Sequence, residues 1–163
     1  GNRGPMYKIL MVCTGNICRW PTAEYVLRAQ LAAAGLGDAV SVASAGTHDY
    51  HIGEAADPRT IKAARRRGLD LGPHIARQVM PADFSAYDLM LAADDTHLRH
   101  LASRRPARAR AELKLLLDYA PGQGLRELPD PYFGGAEGFE LVLDLCALSS
   151  AGLLESLAKA PAR

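Results

Sequence analysis

The residues with the most chemical potential lie near the start of the chain. In the run VCTGNICRWP, Cys13 and Arg19 have five residues between them. That spacing lets one tight loop put a thiolate at its centre and a guanidinium on its rim. Gly15 and Asn16 tolerate left-handed backbone torsions, so successive N–H groups of Thr14, Gly15, Asn16, Ile17 and Cys18 can converge on one anion. A helix opening after the loop adds partial positive charge, and the planar fork of Arg19 can grip two oxygens of a phosphoryl group, which a Lys ammonium cannot do. The same field favours thiolate over thiol at Cys13, making it a nucleophile toward phosphorus. A Cys and an Arg at this spacing also arise by chance, with Cys13 as a small buried residue and Arg19 as a surface charge. The surrounding elements carry the weight.

Those elements alternate in type. Tyr7 to Val12 is short and apolar, as a buried parallel strand is, and runs straight into the loop. Pro21 suits the first helical position, and Ala23, Val26, Leu27, Gln30, Leu31 and Ala34 follow at helical spacing up to Gly35. Val40 to Ala45 alternates like a second strand, Ala56 to Arg67 reads as a helix closed by Gly68, and Tyr87 to Ala92 as a third strand. Thr96 to Ser103 reads as a helix and Leu113 to Leu117 as a fourth strand. PDPYFGG is a loop punctuated by Pro and Gly, and from Phe139 a long amphipathic helix closes the chain, weakened slightly by Gly152. Strands alternating with helices predict an α/β fold whose parallel sheet is covered on both faces and binds ligands at the carboxyl ends of its strands.

Composition narrows the function classes. The 163 residues suit a single domain over 6–163, with Gly1 to Pro5 reading as a non-native remnant ahead of Met6. A net charge of +1 argues against nucleic acid as a partner, and the Arg65–Arg67 and Arg104–Arg110 clusters read as solvated helix faces. No signal peptide or uninterrupted apolar span argues for membrane residence. Three cysteines form no even disulfide framework, which favours reduced thiols and a cytoplasmic location. Cys13 and Cys18 lack the matching pair that a zinc site needs, so no metal or cofactor is expected.

VCTGNICRWP resembles the VCxGNICRSP signature of the low-molecular-weight protein tyrosine phosphatases. SAGTHDYHIGEAADPRT, HIARQ, DLMLAADDTHL and PDPYFGG resemble further segments of that family, so the likeness extends over nearly the whole chain. It implies a three-layer αβα fold with a four-stranded parallel sheet, and hydrolysis of phosphotyrosine through a phosphocysteine intermediate, without metal. By the resemblance, Cys13 is the nucleophile, Arg19 the phosphate clamp and Asp130 the proton donor. Without it, an Asp between two prolines would read as a turn former. Thr14, Gly15, Asn16, Ile17 and Cys18 then line the phosphate site, and Tyr50, Tyr132 and Phe133 wall a cleft for an aryl phosphate. Asn16, Ser44 and His74 match a network that braces the phosphate loop. A reversible Cys13–Cys18 disulfide, phosphotyrosine proteins and a cognate tyrosine kinase as partners also come from the resemblance; a monomer is the simplest expectation.

One position departs from the signature. Trp20 stands where the family pattern has a Ser whose hydroxyl can donate to the thiolate, and an indole is a poor replacement. That substitution motivates a rival expectation, a phosphotyrosine-binding module with impaired catalysis. Arsenate reductase is a second rival; it needs a resolving thiol, for which Cys146, at an apolar position of the last helix, is the only cysteine left.

Overall fold

The computed structural model describes residues 6–14, 19–48, 53–71, 74–129 and 135–159. Strand β1 (Tyr7–Cys13) organises the rest. Ile9, Leu10, Met11 and Val12 have no solvent exposure, so both faces of the strand are covered and both edges must be paired. On one side β1 pairs in parallel with β2 (Val40–Gly46), from Tyr7 opposite Val40 to Cys13 opposite Gly46. On the other it pairs in parallel with β3 (Leu89–Ala92), which in turn pairs with β4 (Glu112–Leu115), giving the order β2-β1-β3-β4. The chain steps outward in opposite directions from β1, so the gap between the ends of β1 and β3 is the sheet's switch point. Open parallel sheets take their ligands at that place.

Helix α1 (Arg19–Ala33) begins two residues before the expected start, with Pro21 as its third residue. The first four N–H groups of a helix have no partner within it, so Pro costs nothing there. Helix α2 (Pro58–Arg65) is shorter than the predicted Ala56–Arg67. Asp57 caps its start by accepting from the Arg59 N–H at 2.8 Å. At its end, Leu69 N–H reaches the Ala64 carbonyl and Gly68 N–H the Arg65 carbonyl, both at 3.0 Å, around a left-handed Gly68.

A four-residue helix α3 (Asp83–Ala86), too short to show periodicity in the sequence, precedes β3. β3 itself starts later than Tyr87 because Asp88 takes the pairing positions in another way. Its carboxylate accepts the Lys8 N–H and its N–H donates to the Lys8 carbonyl, both at 2.8 Å. β4 likewise stops short of the predicted Leu117: Leu116–Tyr119 forms a 3-10 turn in which Asp118 accepts the Leu115 N–H at 3.2 Å. Helix α4 (Asp95–Arg104) lies between β3 and β4.

Helix α5 (Gly135–Lys159) starts four residues before Phe139 and continues unbroken through Gly152. From Glu137 to Lys159 it is long and apolar enough to cross a membrane, but Phe139, Val142, Leu143, Leu145, Cys146 and Leu153 are buried in the core. Its exposed side is tied to the end of α2, where Arg67 reaches Glu140 and Asp144, each at 2.8 Å.

Gly152 is where α5 touches the 3-10 turn. An added Cβ would overlap the Tyr119 carbonyl oxygen and come 3.0 Å from the carbonyl carbon. The sequence expectation of a weak point is therefore replaced by one of close approach. Gly152→Ala should destabilise the protein by about 1–3 kcal/mol despite the better helix propensity of Ala, because the obstacle is backbone. A thermal melt should show a fall of roughly 3–10 °C; a rise would contradict the close packing.

Candidate active site

Cys13 is the last residue of β1 and is buried, with 4% of its surface exposed. The loop after β2 grips the start of the loop after β1. Thr47 N–H donates to the Cys13 carbonyl at 2.7 Å and His48 N–H to the Thr14 carbonyl at 3.1 Å. A second strap holds the β2 loop from outside: Gly46 N–H bonds the Arg77 carbonyl and Val79 N–H the Gly46 carbonyl, both at 2.7 Å. Arg19 and Trp20 are the first two residues of α1, so that helix opens six positions beyond Cys13 with its N-terminus on the phosphate-loop side.

Below the loop, a carboxylate gathers three of the surrounding side chains. Glu24, in α1 and 5% exposed, accepts the Ser44 hydroxyl at 2.6 Å on one oxygen and Arg28 Nε at 2.7 Å on the other. His74 Nδ1 lies 3.8 Å from the first oxygen. Ser44 and His74, matched to a bracing network by resemblance, are thus brought together, and Glu24 is the residue that joins them. Arg28 extends the link to β2 through the Val42 carbonyl at 2.7 Å.

The first turn of α4 forms another wall. Thr14 Oγ1 lies 2.6 Å from His97 Nε2, and His97 Nδ1 lies 2.7 Å from Asp94 Oδ1. Asp94 also caps the helix by accepting the His97 N–H at 2.9 Å. The imidazole tautomer decides which of Thr14 Oγ1 and His97 Nε2 donates in their contact.

The same turn holds the segment that leads into the PDPYFGG loop. Leu128 N–H donates to the Ala93 carbonyl at 2.8 Å, and Glu127 accepts the Asp95 N–H at 2.8 Å. Arg126 grips Asp95 with two bonds, of 2.8 and 3.0 Å. Hydrogen bonding from Arg126 holds the Asp95 carboxyl below its ordinary range. A depressed carboxylate contributes above its unfolded value and is lost as pH falls through the folded one, so the clamp persists in mild acid. Nearby, the His48 and His100 rings are 6.0 Å apart, and burial, then Arg104, then His48 push the His100 imidazole down.

Gly15, Asn16, Ile17, Cys18, Tyr50, Asp130, Tyr132 and Phe133 lie outside the described residues, as do the side chains of Arg19 and Trp20. The structure therefore places Cys13, Thr14, Ser44 and His74 of the expected site. Among the described residues no group of three or more His, Cys, Asp or Glu side chains is arranged to hold a metal ion.

The sequence pattern of the low molecular weight phosphotyrosine protein phosphatases matches residues 8–162. The chain belongs to this family, and is a protein-tyrosine phosphatase, a phosphoric monoester hydrolase. It is 46% identical over 156 residues to the low molecular weight protein-tyrosine-phosphatase of Streptomyces coelicolor, covering 93% of each chain. It is 36% identical over 149 residues to the human low molecular weight phosphotyrosine protein phosphatase, covering 90% of this chain and 93% of that one. The crystal structure of YfkJ from Bacillus subtilis superposes with a TM-score of 0.90 at 36% identity, over 97% of this chain and 98% of that one. The four-stranded parallel sheet between helices is the fold of these phosphatases.

Sequence reading of the phosphatase missed Glu24, Asp94 and His97. Glu24 sits four residues before Arg28, which reads as an ordinary surface pair, and nothing in the sequence reveals that it is buried. Asp94 and His97 have the spacing of an N-cap and its third helical residue, a visible signal that speaks only of helix initiation. Cys146 is fully buried in the core, as its apolar position in the last helix predicts, and burial pushes its thiol up.

Glu24→Ala leaves the buried Ser44 hydroxyl without its carboxylate acceptor. It should cost about 2 kcal/mol, seen as a fall in Tm of roughly 4–8 °C. Ser44→Ala added to that variant should cost less than it does alone, and full additivity would show that the two act separately.

Proposed function

We propose that this phosphatase hydrolyses phosphotyrosine in proteins through a covalent phosphocysteine on Cys13, without a metal or other cofactor. The observation that carries the reading is the position of Cys13, at the end of the central strand, at the switch point of the sheet and beside the N-terminus of α1. A thiolate there faces the one direction from which a parallel α/β sheet receives an anion.

In the first step the Cys13 thiolate attacks phosphorus and the bond from phosphorus to the tyrosyl oxygen breaks. Asp130 gives its proton to the departing phenolate. Arg19 and the N–H groups from Thr14 to Cys18 hold the equatorial oxygens as charge redistributes. In the second step the ionised Asp130 takes a proton from water, whose oxygen attacks phosphorus. The sulfur leaves as thiolate and inorganic phosphate is released. Tyr50, Tyr132 and Phe133 wall the cleft and favour aryl over alkyl esters by stacking. Asn16, Ser44 and His74 brace the loop, and Cys18 can close a reversible disulfide on Cys13 that shields it from further oxidation. The partners are phosphotyrosine proteins and a cognate tyrosine kinase; the protein acts as a cytoplasmic monomer.

Hydrolysis of p-nitrophenyl phosphate at mildly acidic pH with EDTA present tests this reading. Turnover should persist with EDTA, vanish in Cys13→Ser and fall by roughly 100-fold or more in Asp130→Ala. Tight phosphotyrosine binding with no turnover would instead establish a binding module, a reading motivated by Trp20.

Trp20 cannot supply the hydroxyl that the family signature has at this position. Trp20→Ser should therefore raise turnover about tenfold, the scale of ~1.4 kcal/mol. An unchanged or lower rate would remove Trp20 as a limit on the reaction.

A further inference from the structure

The start of α4, from Ala93 to His97, touches the described residues that lead into both loops the reaction needs, and it does so through different atoms. Toward the phosphate loop it presents His97, 5% exposed, whose Nε2 holds the hydroxyl of Thr14, the residue directly after Cys13. His97 is itself fixed by Asp94, through Nδ1 and through the helix cap. Toward the other loop it presents the Ala93 carbonyl and the N–H and carboxylate of Asp95, which bind Leu128, Glu127 and Arg126. Pro129 and Asp130 follow Leu128 directly in the chain. Two short arms of one turn therefore meet the start of the phosphate loop and the start of the proton donor's loop.

We propose that the first turn of α4 is a positioning unit for both steps, with His97 setting the phosphate loop through Thr14, and Asp95 setting the loop of Asp130 through Arg126. The proposal rests on the roles given above to Cys13 and Asp130. Neither His97 nor Asp95 touches substrate; each acts through a neighbour. The 2.6 Å contact between Thr14 Oγ1 and His97 Nε2 restricts the Thr14 side-chain rotamer, directly after Cys13. Arg126 meets Asp95 with a bidentate geometry, which restricts direction as well as distance. Both partners of that pair face solvent, so its effect is on orientation more than on global stability.

The two arms predict different kinetic signatures. A misplaced proton donor harms the ester whose leaving group most needs a proton. Asp95→Ala and Arg126→Ala should thus lower kcat/KM about fivefold on phenyl phosphate and by a smaller factor, about twofold, on p-nitrophenyl phosphate, whose better leaving group depends less on the proton. Affinity for inorganic phosphate, measured by calorimetry, should stay unchanged in both. Thr14→Val and His97→Ala should do the opposite: weaken phosphate binding about fivefold and slow both esters equally. Combining them should cost no more than the worse single change, and Thr14→Ser, which keeps the hydroxyl, should retain more phosphate affinity than Thr14→Val.

Equal loss on both esters in Asp95→Ala and Arg126→Ala, or no loss, overturns the acid-loop arm. Unchanged phosphate affinity in Thr14→Val, a substitution that keeps side-chain size, overturns the phosphate-loop arm even where His97→Ala fails to fold. The underlying reading fails separately. Retained turnover in Cys13→Ser removes the thiolate, and an Asp130→Ala variant that slows both esters equally removes the proton donor and the acid-loop arm with it.

Discussion

Complete burial of β1 is the constraint from which the site follows. A strand with no exposed surface between Ile9 and Val12 has no free edge, so it must pair on both sides, and helices must cover both of its faces. Parallel pairing aligns every carboxyl end in one direction, and the order β2-β1-β3-β4 puts the divergence of the chain beside β1. Cys13 thus reaches the mouth of the sheet because the four residues before it are fixed in the middle. Removing apolar volume from Ile9 to Val12 would disturb the position of the nucleophile together with the stability of the core.

The loops at the mouth are held by contacts of two different strengths. Backbone bonds from Thr47 and His48 to the Cys13 and Thr14 carbonyls are inseparable from the fold, since they continue the β1·β2 ladder by two residues. The Glu24 and His97 contacts are side-chain devices in buried surroundings, where an unmade hydrogen bond costs more than a made one contributes. The Arg126–Asp95 clamp is exposed and correspondingly weak in energy, but it is directional. This gradation runs from the nucleophile's side, held by backbone bonds and buried side chains, to the side that leads to Asp130, where one backbone bond from Leu128 is joined by the exposed Arg126–Asp95 pair.

Much of this was legible from the sequence, and the reasons differ by element. β1 and β2 were visible because short β-branched and apolar runs bounded by loop residues have few other solutions. The family was visible because Cys13, Gly15, Asn16 and Arg19 form a motif between a strand and a helix, and the family match to residues 8–162 agrees with the resemblance of that motif. The ends of β3, β4 and α2 were misplaced where a side chain replaced a backbone partner: Asp88 at Lys8, Asp118 at Leu115, Asp57 at Arg59. Periodicity cannot see such substitutions, because an Asp that caps or pairs looks the same in sequence as one in solvent. Gly152 was misread for a related reason: a glycine is silent about whether it weakens a helix or lets another backbone approach.

Glu24 and His97 were illegible as site residues because the partners that matter are distant in sequence, at separations of 20 for Ser44 to Glu24 and 83 for Thr14 to His97. Nothing local marks a carboxylate as buried or an imidazole as shared. What the topology adds is the reason these distant residues meet. α1 begins where the loop after β1 ends, and α4 begins where β3 ends, so both helix starts flank the same switch point. Side chains in the first two turns of these helices can thus meet residues at the mouth of the sheet, as Glu24 meets Ser44 and His97 meets Thr14. The helix starts are therefore the natural source of bracing groups in this architecture, and Glu24 from one and His97 from the other occupy that place.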